Sequence, residues 1–259
     1  MKTCLTKVGA KLTSHPMVRD LFDLARPLIL DETQTKTLTA ADYYSLDVFD
    51  AISALIQSFD LLELSRSFAT LTPSAKYLKG LQINRHDWLE YHISTFLITF
   101  VTIGDEAVSL VNDVLHLGID PRHCHAAAVK SNKWVKDTPI PTQLDAIEKL
   151  INSHRKKRNL LVHGGKVPSL SSLVKSGNLD QLKGISFALQ HRPEVFPETM
   201  HTKLDEAYVN AFIQINKALD REACELRTAV WQLLTDLHKF YSNWLSILSS
   251  NVVSKTSTN

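Results

Sequence analysis

Arg158 and His163, with four residues between them, form the pair in this sequence whose chemistry is most specific. A guanidinium stays charged at any biological pH and holds phosphate oxygens through a planar fork of donors, while an imidazole takes up and gives back a proton near neutrality. Together they are a minimal kit for cutting a phosphodiester: one group holds charge on phosphorus, the other moves a proton. The pair lies in Ser153-His154-Arg155-Lys156-Lys157-Arg158-Asn159-Leu160-Leu161-Val162-His163-Gly164-Gly165, a basic run stopped by two glycines. Asn159 and His163 are four apart, so the amide can reach the imidazole and hold it in one orientation.

These residues need a helix to position them. Pro139 and Pro141 punctuate its start, and the spacing predicts it over about 142–163. At about 100° per residue, Leu144, Ile147, Leu150, Ile151, Leu161 and Val162 fall within one arc, and His154 and Arg158 project into its middle. Lys156 points away, and Arg155 and Lys157 flank the arc. A guanidinium in that stripe needs a carboxylate, a phosphate or a water-filled cleft, and an internal ion pair is the plain alternative to a site. His163 lies about 140° round from Arg158 on an ideal helix, so a left-handed turn at Gly164-Gly165 is expected to swing it toward the arginine. The plain alternative for His163 is a C-terminal histidine that merely favours the helix dipole.

The surrounding chain reads as scaffold. Helices are expected from Pro16 to about Leu30 behind a Ser14 cap, over 40–71, and from an Asn84 cap to Leu117, where Gly118 closes. A shorter one begins at Asp120-Pro121 and reaches about Trp134. Prolines and glycines break 164–200 into short pieces, and an apolar stripe without glycine or proline predicts a last helix over about 202–248. The expected architecture is all-α, a bundle of long antiparallel helices, with a flexible 1–13, a single domain over 14–248 and a frayed 249–259.

The totals agree with a globular protein: 259 residues, 44% apolar and 22% charged, with only 8 glycines and 9 prolines. A net charge of +2 puts any nucleic-acid contact in a local patch, for which His154, Arg155, Lys157 and Lys166 beside the pair are the candidates. A solvated helix end is the plainer reading of that run. Three widely spaced cysteines, Cys4, Cys124 and Cys224, argue against a disulfide framework and for a cytoplasmic address. The apolar run Ile93–Ile103 is too short to span a bilayer and reads as buried, so no membrane is expected. His123-Cys124-His125 has no second ligand pair at metal spacing, and neither a metal nor a cofactor is expected. Phosphate loops, nucleophile elbows and His-Glu-x-x-His are absent from the sequence. Asp87, Glu90, Tyr91 and His92 could line the cleft from a neighbouring helix, with Trp88 and Tyr91 read as core.

Arg158-Asn159-Leu160-Leu161-Val162-His163 resembles the signature of the HEPN superfamily: Arg, four to six residues, then His, often with a polar residue straight after the Arg. Trp88-Leu89-Glu90-Tyr91-His92, opening a long helix, is similar to the larger standalone HEPN proteins. The close motif covers six residues, and a compatible helical architecture covers most of the chain. The resemblance implies a metal-independent endoribonuclease whose composite site forms at a homodimer interface, in stress response, anti-phage defence or as a toxin. His163 would serve as general base or acid at the ribose 2′-hydroxyl and the leaving oxygen. Arg158 would hold the phosphorane charge, and Asn159 would orient His163 or the phosphate. RNA is the implied substrate because the chemistry uses the 2′-hydroxyl. Toxins of this superfamily silenced by a nucleotidyltransferase carry a tyrosine two positions after the histidine; here Gly165 stands there, so no such antitoxin partner is expected. Two alternatives remain: a non-catalytic HEPN-like module binding RNA or a nucleotide, and a structural protein in which Arg158 forms an internal ion pair.

Overall fold

A computed structural model describes residues 12–30, 38–71, 73–164 and 179–256. Among these residues there are eight α-helices and no strand: α1 (Pro16–Leu30), α2 (Ala40–Thr70), α3 (Ala75–Gly80), α4 (Arg85–Val114), α5 (Ala126–Ser131), α6 (Ile140–Gly164), α7 (Leu179–His191) and α8 (Glu198–Thr256). The protein is all-α, as its helical periodicity predicts.

Local chemistry sets the helix ends. At α2, the Thr39 N–H donates to Asp42 Oδ2 at 2.8 Å and the Asp42 N–H to Thr39 Oγ1 at 3.2 Å, a reciprocal capping box. Asn84 and Asp87 repeat it at α4, with 3.1 and 3.0 Å bonds, so Asn84 is the cap its side chain predicts. Other ends depart from expectation. His15, rather than Ser14, directly precedes α1, and its Nδ1 accepts the Met17 N–H at 3.1 Å. α4 stops at Val114, before Leu117: His116 takes a left-handed φ of 48° two residues ahead of Gly118 at 65°. Rings hold His116 in that conformation, Tyr44 at 4.6 Å and Trp244 at 5.6 Å between centroids. The helix expected from Asp120 is two pieces, a 3-10 turn Pro121–His123 and α5, because His125 is extended and caps α5 with its own ring. α8 runs on to Thr256, past the expected end near Leu248, with no glycine or proline to stop it.

The chain forms two compact units, one from Met1–Phe59, Thr102–Ile151 and Cys224–Asn259, the other from Asp60–Val101 and Asn152–Ala223. Helices α2, α4, α6 and α8 each contribute residues to both. In the first unit α2 and α4 run antiparallel, since the Tyr44 hydroxyl donates to the Val114 carbonyl at 2.9 Å and the Ser58 hydroxyl to Glu106 Oε1 at 2.9 Å. Ile52, Leu55, Leu110, Leu233 and Leu237 are fully buried there, each stabilising the fold by roughly 1.5–3 kcal/mol against exposure. In the second unit Leu89, Phe96, Tyr208, Phe212 and Ile215 form the core. Arg66 of α2 bonds to Glu63 at 3.0 Å and to Asn216 of α8 at 3.2 Å.

Cys124 is free, whereas Cys224 is disulfide-bonded. The bridge at Cys224 departs from the expectation that the cysteine pattern argues against disulfides. α4 is long and apolar enough to cross a membrane, with a window of mean hydropathy 1.4, but 61% of that window is buried inside the protein.

Candidate functional site

The last three turns of α6 lie in the second unit. His154 opens them and is 5% exposed. Its Nε2 lies 3.1 Å from Glu222 Oε2 on α8, and its ring meets Phe100 edge-on at 5.1 Å. The Nδ1 atom is buried and makes no hydrogen bond. The angular reading placed His154 in the buried arc, and there it sits. Its proposed role in touching RNA therefore does not fit its surroundings, which are an acid and an aromatic ring inside the unit. Glu222, its partner, carried no signal in the sequence: it is one acid among many on a long helix, 68 residues away.

Arg158 stands one turn further along the same face and is half-buried. Arg155 and Lys157 are half-buried on either side, Lys156 is exposed, and Asn159 and His163 are exposed. The helix persists through Gly164, so His163 is still helical and the turn expected to swing it has not begun. Arg158 and His163 are consequently about 7.5 Å apart along the axis and about 140° apart around it. Asn159 and His163 keep their one-turn spacing on one exposed face. Lys166 and Gly165 lie outside the described residues.

The apolar residues of the motif divide. Leu161 is half-buried, while Leu160 is 45% and Val162 51% exposed. The sequence placed Val162 in the buried arc, but the covered stripe ends before it. The end of α6 thus presents an amide, an imidazole and two aliphatic side chains to the outside, with an arginine half-sunk behind them.

The other candidates are engaged elsewhere. Asp87 caps α4 and Glu90 holds Lys183 at 3.2 Å. Trp88 is half-buried, its indole N–H donating to the Phe68 carbonyl at 3.0 Å. Tyr91, read as core, is 67% exposed. His92 stacks on Phe68 at 5.2 Å, and burial lowers its pKa below the usual value. His125 Nδ1 accepts the Ala128 N–H at 3.2 Å, which accounts for the ring through local structure. Among the described residues no group of three His, Cys, Asp or Glu is placed to hold a metal ion.

Residues 44–220 match the profile of the HEPN_Cthe2314-like HEPN family. The matched span starts in α2, ends in α8 and contains Arg158, Asn159 and His163. No curated protein and no solved structure is significantly similar to the chain. With most of its length matched and the Arg-Asn-x3-His motif inside an all-α fold, the chain belongs to the HEPN_Cthe2314-like HEPN family.

Proposed function

We propose that this protein is a metal-independent endoribonuclease whose site is completed by a second copy of the chain. The supporting observation is the outer face of the last two turns of α6, where Asn159 and His163 are exposed beside the uncovered Leu160 and Val162. Aliphatic side chains at 45% and 51% exposure next to titratable groups suit a surface that another subunit covers. The wide angle between Arg158 and His163 also suits a site assembled from two helices.

In the reaction, the neutral imidazole of His163 removes the proton from a ribose 2′-hydroxyl. The 2′-oxygen attacks the adjacent phosphorus, and Arg158 holds the additional negative charge of the five-coordinate phosphorane. The bond to the 5′-oxygen breaks, that oxygen takes a proton from the imidazolium of the second copy, and a 2′,3′-cyclic phosphate remains. Asn159, one turn from His163, orients the ring. Arg155 and Lys157 attract the flanking RNA backbone. Stress response or anti-phage defence is the setting that suits such an activity. Gly165, where a modifiable tyrosine would stand, weighs against control by a nucleotidyltransferase.

The test is cleavage of a mixed RNA pool by the purified protein in EDTA. Arg158→Ala and His163→Ala are each expected to lower the rate by at least about 100-fold, given what positioned acid–base and charge-stabilising groups contribute. Unchanged rates in both variants would sink the nuclease. Salt-dependent RNA binding without cleavage by the unaltered protein would leave a binding module instead.

A further inference from the structure

A cavity of about 770 Å³ lies within the second unit, formed by the end of α3, the start of α4, α7 and the beginning of α8. Its volume falls within the roughly 300–1,000 Å³ typical of small-molecule sites. None of its described lining residues belongs to the end of α6, so it is separate from the proposed nuclease residues Arg158, Asn159 and His163.

Its lining sorts by chemistry. Leu78 and Leu189, 4% and 8% exposed, provide apolar wall together with Ile83 and Leu204. Its hydroxyls are mutually satisfied: Tyr208 Oη lies 2.7 Å from Ser186 Oγ and donates to the Leu182 carbonyl at 3.4 Å. Burial raises the Tyr208 pKa, which keeps the phenol neutral. Among the described lining residues Lys79, Arg85 and His191 are basic and Asp205 is acidic. Asp205 is already committed, accepting from Arg85 Nη1. That bond uses one of the five guanidinium N–H donors, in a side chain only 19% exposed. The nearby Asp87 is occupied by the Asn84 N–H. Among the described lining residues no acid other than Asp205 stands, whereas Arg85 retains donors and Lys79 is exposed beside it. The connecting turn holds Gln82 at a φ of 56°, a conformation disfavoured for a residue with a side chain.

We propose that this cavity binds an amphipathic monoanion, an aliphatic or aromatic body bearing one carboxylate, with the head at Arg85 and Lys79 and the body against Leu78, Ile83, Leu189 and Leu204. Among the described lining residues a cation would meet Asp205, whose charge Arg85 already offsets, against the positive charges of Arg85 and Lys79. A neutral apolar molecule would leave Arg85's remaining donors without a new acceptor.

The experiment is calorimetric titration of the full chain with decanoate, kept below the concentration at which it forms micelles, and in parallel with decanol. Decanoate is expected to bind once per chain and decanol at least about tenfold more weakly, because the charge-assisted contact distinguishes them. Lys79→Gln and Arg85→Gln each weaken decanoate severalfold and leave decanol unchanged, and Leu204→Trp, by filling the body site, abolishes both. Lys79 is exposed, so its variant folds even if loss of the Arg85–Asp205 pair proves disruptive. Absence of decanoate binding, equal affinity for the alcohol, or binding untouched by Leu204→Trp would each overturn the assignment.

Discussion

His15 shows how a single side chain can tie a fold to pH. Its Nδ1 caps α1, its Nε2 lies 3.2 Å from Thr235 Oγ1, and its ring packs edge-on against Trp231 at 4.6 Å. Burial, helped by the nearby His238, lowers its pKa from 6.5 to about 4. Between those values the unfolded chain binds a proton that the folded chain refuses, so this contribution is complete above pH 6.5 and is lost as pH falls toward 4. The carboxyls of Glu106 and Asp113 are raised by burial and work in the opposite direction over part of that range. Comparison with His15→Asn isolates the histidine, because asparagine preserves a capping acceptor. The unaltered protein is expected to lose more stability than the variant between pH 7 and pH 5 in urea denaturation. Parallel losses would mean that His15 does not titrate in this way. The motif histidines differ in kind: His154 is enclosed by Glu222 and Phe100, and His163 is exposed. Residue type identified both, but only packing separated a structural imidazole from an available one.

At the scale of elements, α4 and α6 approach closely at Gly104 in the first unit. A Cβ built on Gly104 would stand 2.4 Å from Ile151 Cδ1 and 3.2 Å from its Cγ2, and Ile151 is 1% exposed. Glycine inside a helix costs about 1 kcal/mol against alanine, so Gly104→Ala gains that much in propensity. The clash works against it by about 1–3 kcal/mol, and the branched methyl has little room to withdraw. Gly104→Ala is therefore expected to be destabilising overall in chemical denaturation. Ile151→Val removes Cδ1 at a cost of about 0.5–1.5 kcal/mol, and in its presence the alanine should become neutral or favourable. Strict additivity of the two changes would show that the contact does not govern the site. The sequence shows only that a glycine falls within the helix expected from Asn84 to Leu117. Its use, which is to admit Ile151, depended on a residue 47 positions away.

The whole molecule carries a formal charge of only +2, so bulk electrostatics do not commit it to nucleic acid. What the nuclease reading needs is local: the basic face of α6 and a second copy to cover Leu160 and Val162. Because Val162 is 51% exposed, Val162→Glu should leave the fold intact while placing a charge in the proposed interface. The expected outcome is a shift toward monomer in sedimentation, with RNA cleavage falling in proportion to the remaining dimer. A variant that stays dimeric and cleaves normally would place the interface elsewhere. The nuclease assay and the decanoate titration address different parts of the second unit, so either can fail without the other.

The sequence by itself determined that the protein is helical, where the long helices lie, and that Arg158, Asn159 and His163 occupy one helix end. Those properties follow from periodicity, from capping residues such as Asn84 and from motif spacing, all of which are local. It also placed His154 in the buried arc, since angle around a helix depends on sequence position alone. Only the tertiary structure decided what meets each face. It paired His154 with Glu222, left Val162 and Tyr91 outside, ended α4 at Val114 ahead of Gly118, and formed an open cavity lined by Leu78 and Leu189. Each of these depends on side chains distant in sequence, and helical periodicity says which way a residue points without saying whether anything waits there.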